Sequence, residues 1–161
     1  MDILRRALIP WLFVAVAPSA ALATPVDVTR DLLYAVEYGR GGDFLNIMSS
    51  SLRSSIEDSY RQLQEISFEE PGAAEALLQR TGSGITVWDL EWMTTEDFVS
   101  ALLPVLDMPS PEEVVFEEVS MRGRNAEVVF TWQSGISVTF FYTWEVSSWK
   151  LTGSSLLEDL F

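Results

Sequence analysis

Residues 126–146 read AEVVFTWQSGISVTFFYTWEV, and the way this stretch folds back on itself decides the architecture of the chain. Ile136, Val138, Phe140, Tyr142, Trp144 and Val146 alternate with Ser137, Thr139, Thr143, Glu145 and Ser147, the period of two that marks a strand with one apolar face. Phe141 alone departs from it. The preceding run puts Ala126, Val128, Phe130 and Trp132 on one face. A two-residue loop at Ser134-Gly135 sets the two apolar sets on opposite faces. A loop of Gln133, Ser134 and Gly135 instead brings Trp132 opposite Ile136, Phe130 opposite Val138, Val128 opposite Phe140 and Ala126 opposite Tyr142. It also places a glycine where such hairpins need a left-handed residue, so it is the predicted loop.

Two further runs flank this hairpin within Glu113–Leu157. A turn at Ser147-Ser148 pairs Trp144 with Leu151 and Val146 with Trp149, and sets Lys150 beside Glu145. A turn at Gly123-Arg124 pairs Met121 with Ala126, Val119 with Val128 and Val115 with Trp132. That register turns Glu117 inward beside Phe130, where a carboxyl needs a partner or a raised pKa, and leaves Phe116 outward.

Upstream, the period changes to that of helices. Thr24-Pro25-Val26-Asp27 is a helix start with its cap, its proline and its first-turn acid, and Gly39 is the matching stop. Arg40-Gly41-Gly42 reads as a turn. From Asp43, the spacing of Phe44, Met48, Leu52, Ile56, Tyr60 and Leu63 predicts one helix of about five turns. A break at Glu69-Glu70-Pro71-Gly72 precedes a short helix over Ala73–Arg80. Thr86-x-x-Asp89 and Thr94-x-x-Asp97 resemble capping boxes with Asp in place of Glu. They predict a one-turn helix and a longer one ending at Leu103 before Pro104, although Thr86, Trp88, Leu90 and Trp92 also alternate as a strand does. The sum is an α+β fold: N-terminal helices packed on a curved four-stranded antiparallel meander.

Composition narrows the chemistry. Ten basic against 24 acidic side chains give a formal net charge of −14, with Lys150 the sole lysine, which argues against a nucleic-acid partner. There is no cysteine and no histidine. Stability then rests on packing alone, and the residue most used for acid–base work and for zinc is missing. Neither a metal nor a cofactor is expected. Arg5-Arg6, the apolar run from Ala7 to Ala17 and Ala21-Leu22-Ala23 have the three parts of a secretory signal. The run is shorter than the roughly 20 residues of a bilayer span. Residues 1–23 are therefore expected to be a cleaved leader. Residues 24–161 are expected to form one domain, periplasmic or secreted, with no stable membrane insertion.

The hairpin Gly123-Arg124-Asn125-Ala126-Glu127-Val128, the long aromatic strand after it and Trp149-Lys150-Leu151 at the close resemble the NTF2-like (cystatin-like α+β) superfamily, as an exported bacterial member, over residues 26–157. The resemblance implies helices covering a bent sheet. It does not choose among the isomerases, dehydratases, lipid carriers and binding modules of that superfamily. The chain lacks the histidine of a His/Asp dehydratase pair and matches an isomerase site only in a Glu117 and Tyr142 combination, base and oxyanion donor.

Three functions follow as expectations. The first is a non-enzymatic binding domain holding a small apolar or lipid-like ligand in a concave pocket lined by Phe130, Trp132, Phe140, Tyr142 and Trp144; the same aromatics also serve as ordinary core. The second is an interaction or dimerisation module using Phe116, Val129 and Phe141 among the threonines of the outer face, with a homodimer expected. The third is the Glu117 and Tyr142 enzyme.

Overall fold

A computed structural model of the protein describes residues 22–132 and 135–155. The expected leader falls almost wholly outside the described residues, as do Gln133 and Ser134 of the central loop. The helices are α1 (Pro25–Glu37), α2 (Gly41–Ile47), α3 (Ser50–Glu69), α4 (Pro71–Thr81), α5 (Val87–Leu90) and α6 (Thr95–Leu102). The strands β1 (Val114–Arg122), β2 (Asn125–Trp132), β3 (Ser137–Glu145) and β4 (Ser148–Ser154) follow, paired antiparallel in the order β1-β2-β3-β4. The fold is α+β, with helices packed against a four-stranded meander.

The two predicted capping boxes form, and Thr24 with Asp27, expected as a cap and a first-turn acid, forms a third. Thr24 with Asp27, Thr86 with Asp89 and Thr94 with Asp97 each close a capping box, the carboxylate accepting from the cap's own amide at 2.8–3.0 Å. The Thr24 hydroxyl and then its amide hold the Asp27 carboxyl below the ordinary Asp value, and the amides and then the hydroxyls of Thr86 and Thr94 do the same for Asp89 and Asp97. The Thr86 box settles the helix-or-strand alternative for that segment in favour of a helical turn.

The helix predicted to run unbroken from Asp43 is two helices. Ser49 interrupts it, accepting from Leu52 N with its side chain (3.2 Å) and donating its own amide to Leu151 O (2.7 Å) in β4. Met48 forms a parallel bridge with the same Leu151. The apolar spacing runs through the break, so period alone does not reveal it. The preceding glycine pair is helical rather than a turn. Gly41 opens α2 so close to α6 that a Cβ there would lie 2.2 Å from Glu96 O, and its amide donates to Ser100 Oγ at 2.9 Å.

The β2–β3 register is the predicted one, Ala126 facing Tyr142, Val128 facing Phe140 and Phe130 facing Val138. Gly135 sits at φ +75° and donates to Trp132 O at 2.8 Å. The β3–β4 turn is one residue earlier than predicted, at Val146-Ser147, which shifts the pairing by two, so Trp144 faces Trp149 and Tyr142 faces Leu151. A slip of two preserves which face each side chain takes. The expected Glu145–Lys150 pair is absent: Glu145 Oε2 accepts from Ser50 N (3.1 Å) at the start of α3, and Lys150 Nζ donates to Asn46 O. Val146, expected inward, is fully exposed in the turn.

Three clusters make the core. Inner-face residues Val128, Phe130, Val138, Phe140, Tyr142 and Leu151 pack on Val28 and Leu32 of α1 and on Met48. Val36, Leu45, Val99 and Leu103 join α1, α2 and α6. Tyr60, Leu78, Ile85 and Leu90 form a separate centre joining α3, α4 and α5.

Candidate functional site

The expected pocket residues lie on the inner face. Phe130, Phe140 and Tyr142 are at most 3% exposed. Their rings touch edge to face, 5.1 Å between the centroids of Phe130 and Phe140 and 6.5 Å between those of Phe140 and Tyr142. Side chains thus fill the space a ligand would need against these three. Trp132 stacks on Phe130 at 6.1 Å and Trp144 meets Trp149 edge to face at 5.3 Å, both partly buried.

Tyr142 brings a hydroxyl into this layer. Thr29 is buried beside it on α1, and its hydroxyl donates to Pro25 O at 2.8 Å. With that hydrogen committed, the 2.7 Å contact between the two hydroxyls is a bond from Tyr142 to Thr29. Burial pushes the Tyr142 phenol well above its ordinary value.

Glu117 is not inward. Pairing between β1 and β2 shifts between Phe116 and Glu118, leaving Glu117 as the extra residue of a bulge and exposed. The structure does not bring Glu117 and Tyr142 together: one faces solvent on the edge strand, the other is sealed under α1. The bulge also moves Phe116, expected outside, onto the inner face. There it pairs with Phe130 at 6.2 Å between centroids and lies under the Arg30 guanidinium at 5.2 Å. Val115, expected inward, is exposed. An inward carboxylate would cost desolvation, and one inserted residue exchanges it for an aromatic ring.

Val129 and Phe141 occupy the outer face as expected, half-buried among Thr131, Thr139 and Thr143. The helical residues packed on the sheet meet its inner face.

Two features were not singled out from the sequence. A groove of about 440 Å³ runs between α1 and α2, lined by Tyr34, Tyr38, Arg40, Asp43 and Ile47 among others. Tyr34 stacks on Tyr38 at 6.1 Å and donates to Glu112 Oε1 at 2.8 Å, and Arg40 lies over the Tyr38 ring at 5.1 Å. The α1 period contains the signal, since Tyr34 and Tyr38 are four apart and off the apolar stripe. The second feature is Trp88 and Trp92, 77% and 81% exposed. Their signal is the helical reading of the Thr86 box, which turns both away from Leu90.

Among the described residues no helix is long and apolar enough to cross a membrane. Nor does any group of three or more acidic side chains among them stand close enough to hold a metal ion. Comparison of the chain with protein-family models, curated proteins and solved structures finds no match.

Proposed function

We propose that this chain is an exported, non-enzymatic protein-interaction domain of NTF2-like type that pairs with a second copy through the outer face of its sheet. The observation that carries the reading is the asymmetry of the sheet. The inner face is used up as core, whereas Val129 and Phe141 lie half-exposed among threonines on the other. A face with apolar points and small hydroxyls suits an isologous sheet-to-sheet contact. The order of helices before a meander supports the NTF2-like assignment. The engagement of the Tyr142 hydroxyl with Thr29 and the exposure of Glu117 support a role without catalysis. Export rests on the N-terminal pattern. Cleavage after Ala23 leaves Thr24 as first residue, and its nitrogen already donates to Asp27 Oδ2 at 2.9 Å.

Sedimentation velocity of residues 24–161 tests the pairing. The wild type sediments as a dimer at micromolar concentration and Phe141→Glu as a monomer; a wild type that is monomeric throughout the concentration range overturns it. The intact mass of protein recovered from its host reads the cleavage point directly.

A second reading, a small apolar or lipid-like ligand, is favoured by the groove between α1 and α2 rather than by the aromatic layer. Native mass spectrometry of the delipidated and untreated protein distinguishes it, since a bound species appears only in the untreated sample.

A further inference from the structure

The lobe formed by α3, α4 and α5 is held together by its own small core and presents two tryptophans to solvent. The helical turn of α5 continues past Leu90, with the amides of Trp92 and Met93 donating to Asp89 O at 3.1 and 3.0 Å. Leu90 is 1% exposed and sets the rotation of this turn. At about 100° per residue, positions 88 and 92 each lie about 200° from it, on the opposite side and about 40° from one another. The two indoles therefore share one outward stripe.

Their mounting is rigid. The Thr86–Asp89 box fixes the start of the turn, and Val87 N donates to Glu75 Oε2 at 3.2 Å. From beneath, Tyr60 donates to Met93 O at 2.6 Å and Gln64 to Leu90 O at 2.8 Å. Aromatic residues held in place before a partner arrives lose little freedom on binding.

Charge indicates what the partner is. Between positions 86 and 97 there are four carboxylates, Asp89, Glu91, Glu96 and Asp97, all exposed, and no basic side chain. We infer that Trp88 and Trp92 anchor a docking surface for a basic, amphipathic segment of a partner protein. Indole faces and carboxylates both attract guanidinium and ammonium groups, and tryptophan is among the residues most often found at the energetic centre of an interface. A second copy of this same patch would set acid against acid. An anionic bilayer would be repelled in the same way. The surface is separate from the sheet face that carries the proposed self-pairing, so the two stand or fall independently.

The test uses residues 24–161 and a fluorescein-labelled synthetic helix of about five turns, leucines on one face and arginines on the other, read by anisotropy at physiological ionic strength. The wild type binds it. Trp88→Ser/Trp92→Ser, which leaves net charge unchanged, binds about tenfold or more weakly, while its circular dichroism matches wild type. Glu91→Gln/Glu96→Gln weakens binding and flattens its salt dependence, whereas Glu37→Gln/Glu117→Gln, the same change of charge elsewhere, does not. Equal binding by wild type and the tryptophan variant overturns the inference. So does a tryptophan emission shift on adding phosphatidylcholine or phosphatidylcholine/phosphatidylglycerol vesicles when none occurs with the peptide. Should the tryptophan variant fail to fold, the two glutamate pairs decide: equal weakening by both overturns the inference.

Discussion

The hydroxyl of Tyr142 on β3 donates to Thr29 Oγ1 on α1 at 2.7 Å, across the buried face where helix meets sheet. It is a polar clasp within an apolar layer, and the two partners are not equivalent. Tyr142→Phe leaves Thr29 satisfied by Pro25 O and costs about 1 kcal/mol in urea denaturation; Thr29→Val leaves a buried phenol without an acceptor and costs about 1–3 kcal/mol. Because burial raises the Tyr142 pKa above the ordinary value of 10.0, the folded state keeps its proton while the unfolded chain releases it. The contribution is thus full below about pH 10 and lost as pH rises further. Wild type should lose more stability than Tyr142→Phe over that alkaline range.

Val146 adopts φ +54° and is 99% exposed at the β3–β4 turn. A β-branched side chain in the left-handed region is strained and gains nothing from burial there. Val146→Asn relieves the strain in a turn that favours Asn, and should raise stability by about 1 kcal/mol by thermal or urea unfolding. A lower midpoint than wild type contradicts this account of the turn.

Gly41 faces the opposite constraint, since a Cβ would lie 2.2 Å from the backbone oxygen of Glu96 and 2.7 Å from Ser100 N. Both neighbours are backbone and cannot swing aside. Gly41→Ala should therefore cost at least about 1–3 kcal/mol by forcing α2 away from α6, whereas Gly72→Ala, with nothing within 4 Å, should not. Parallel denaturation of the two variants checks the contrast.

Wherever a short-range rule was sufficient, the sequence determined the outcome. Alternation in β3 and the three-residue loop ending in Gly135 specify the central hairpin, its register and its apolar face, because a one-residue slip there would turn Phe140, Tyr142 and Trp144 to the outer face. The capping boxes of Thr24, Thr86 and Thr94 mark their helix starts, because each is closed by a residue three positions away.

Only the tertiary structure decided the rest. The break at Ser49 depends on a bond to Leu151, about a hundred residues later in the chain, and leaves the helical period undisturbed. The β3–β4 pairing slips by two, a change that keeps Trp144, Trp149 and Leu151 on one face and is invisible to alternation; it is set by where Leu151 packs against Tyr142 and Met48. The bulge at Glu117 exchanges a carboxylate for Phe116 on the inner face, correcting at one strand edge what the regular period gets wrong. Whether the aromatic face is open or filled is likewise a matter of volume. Identical residue patterns line pockets and cores, and only the approach of α1 to Phe130, Phe140 and Tyr142 makes this one a core.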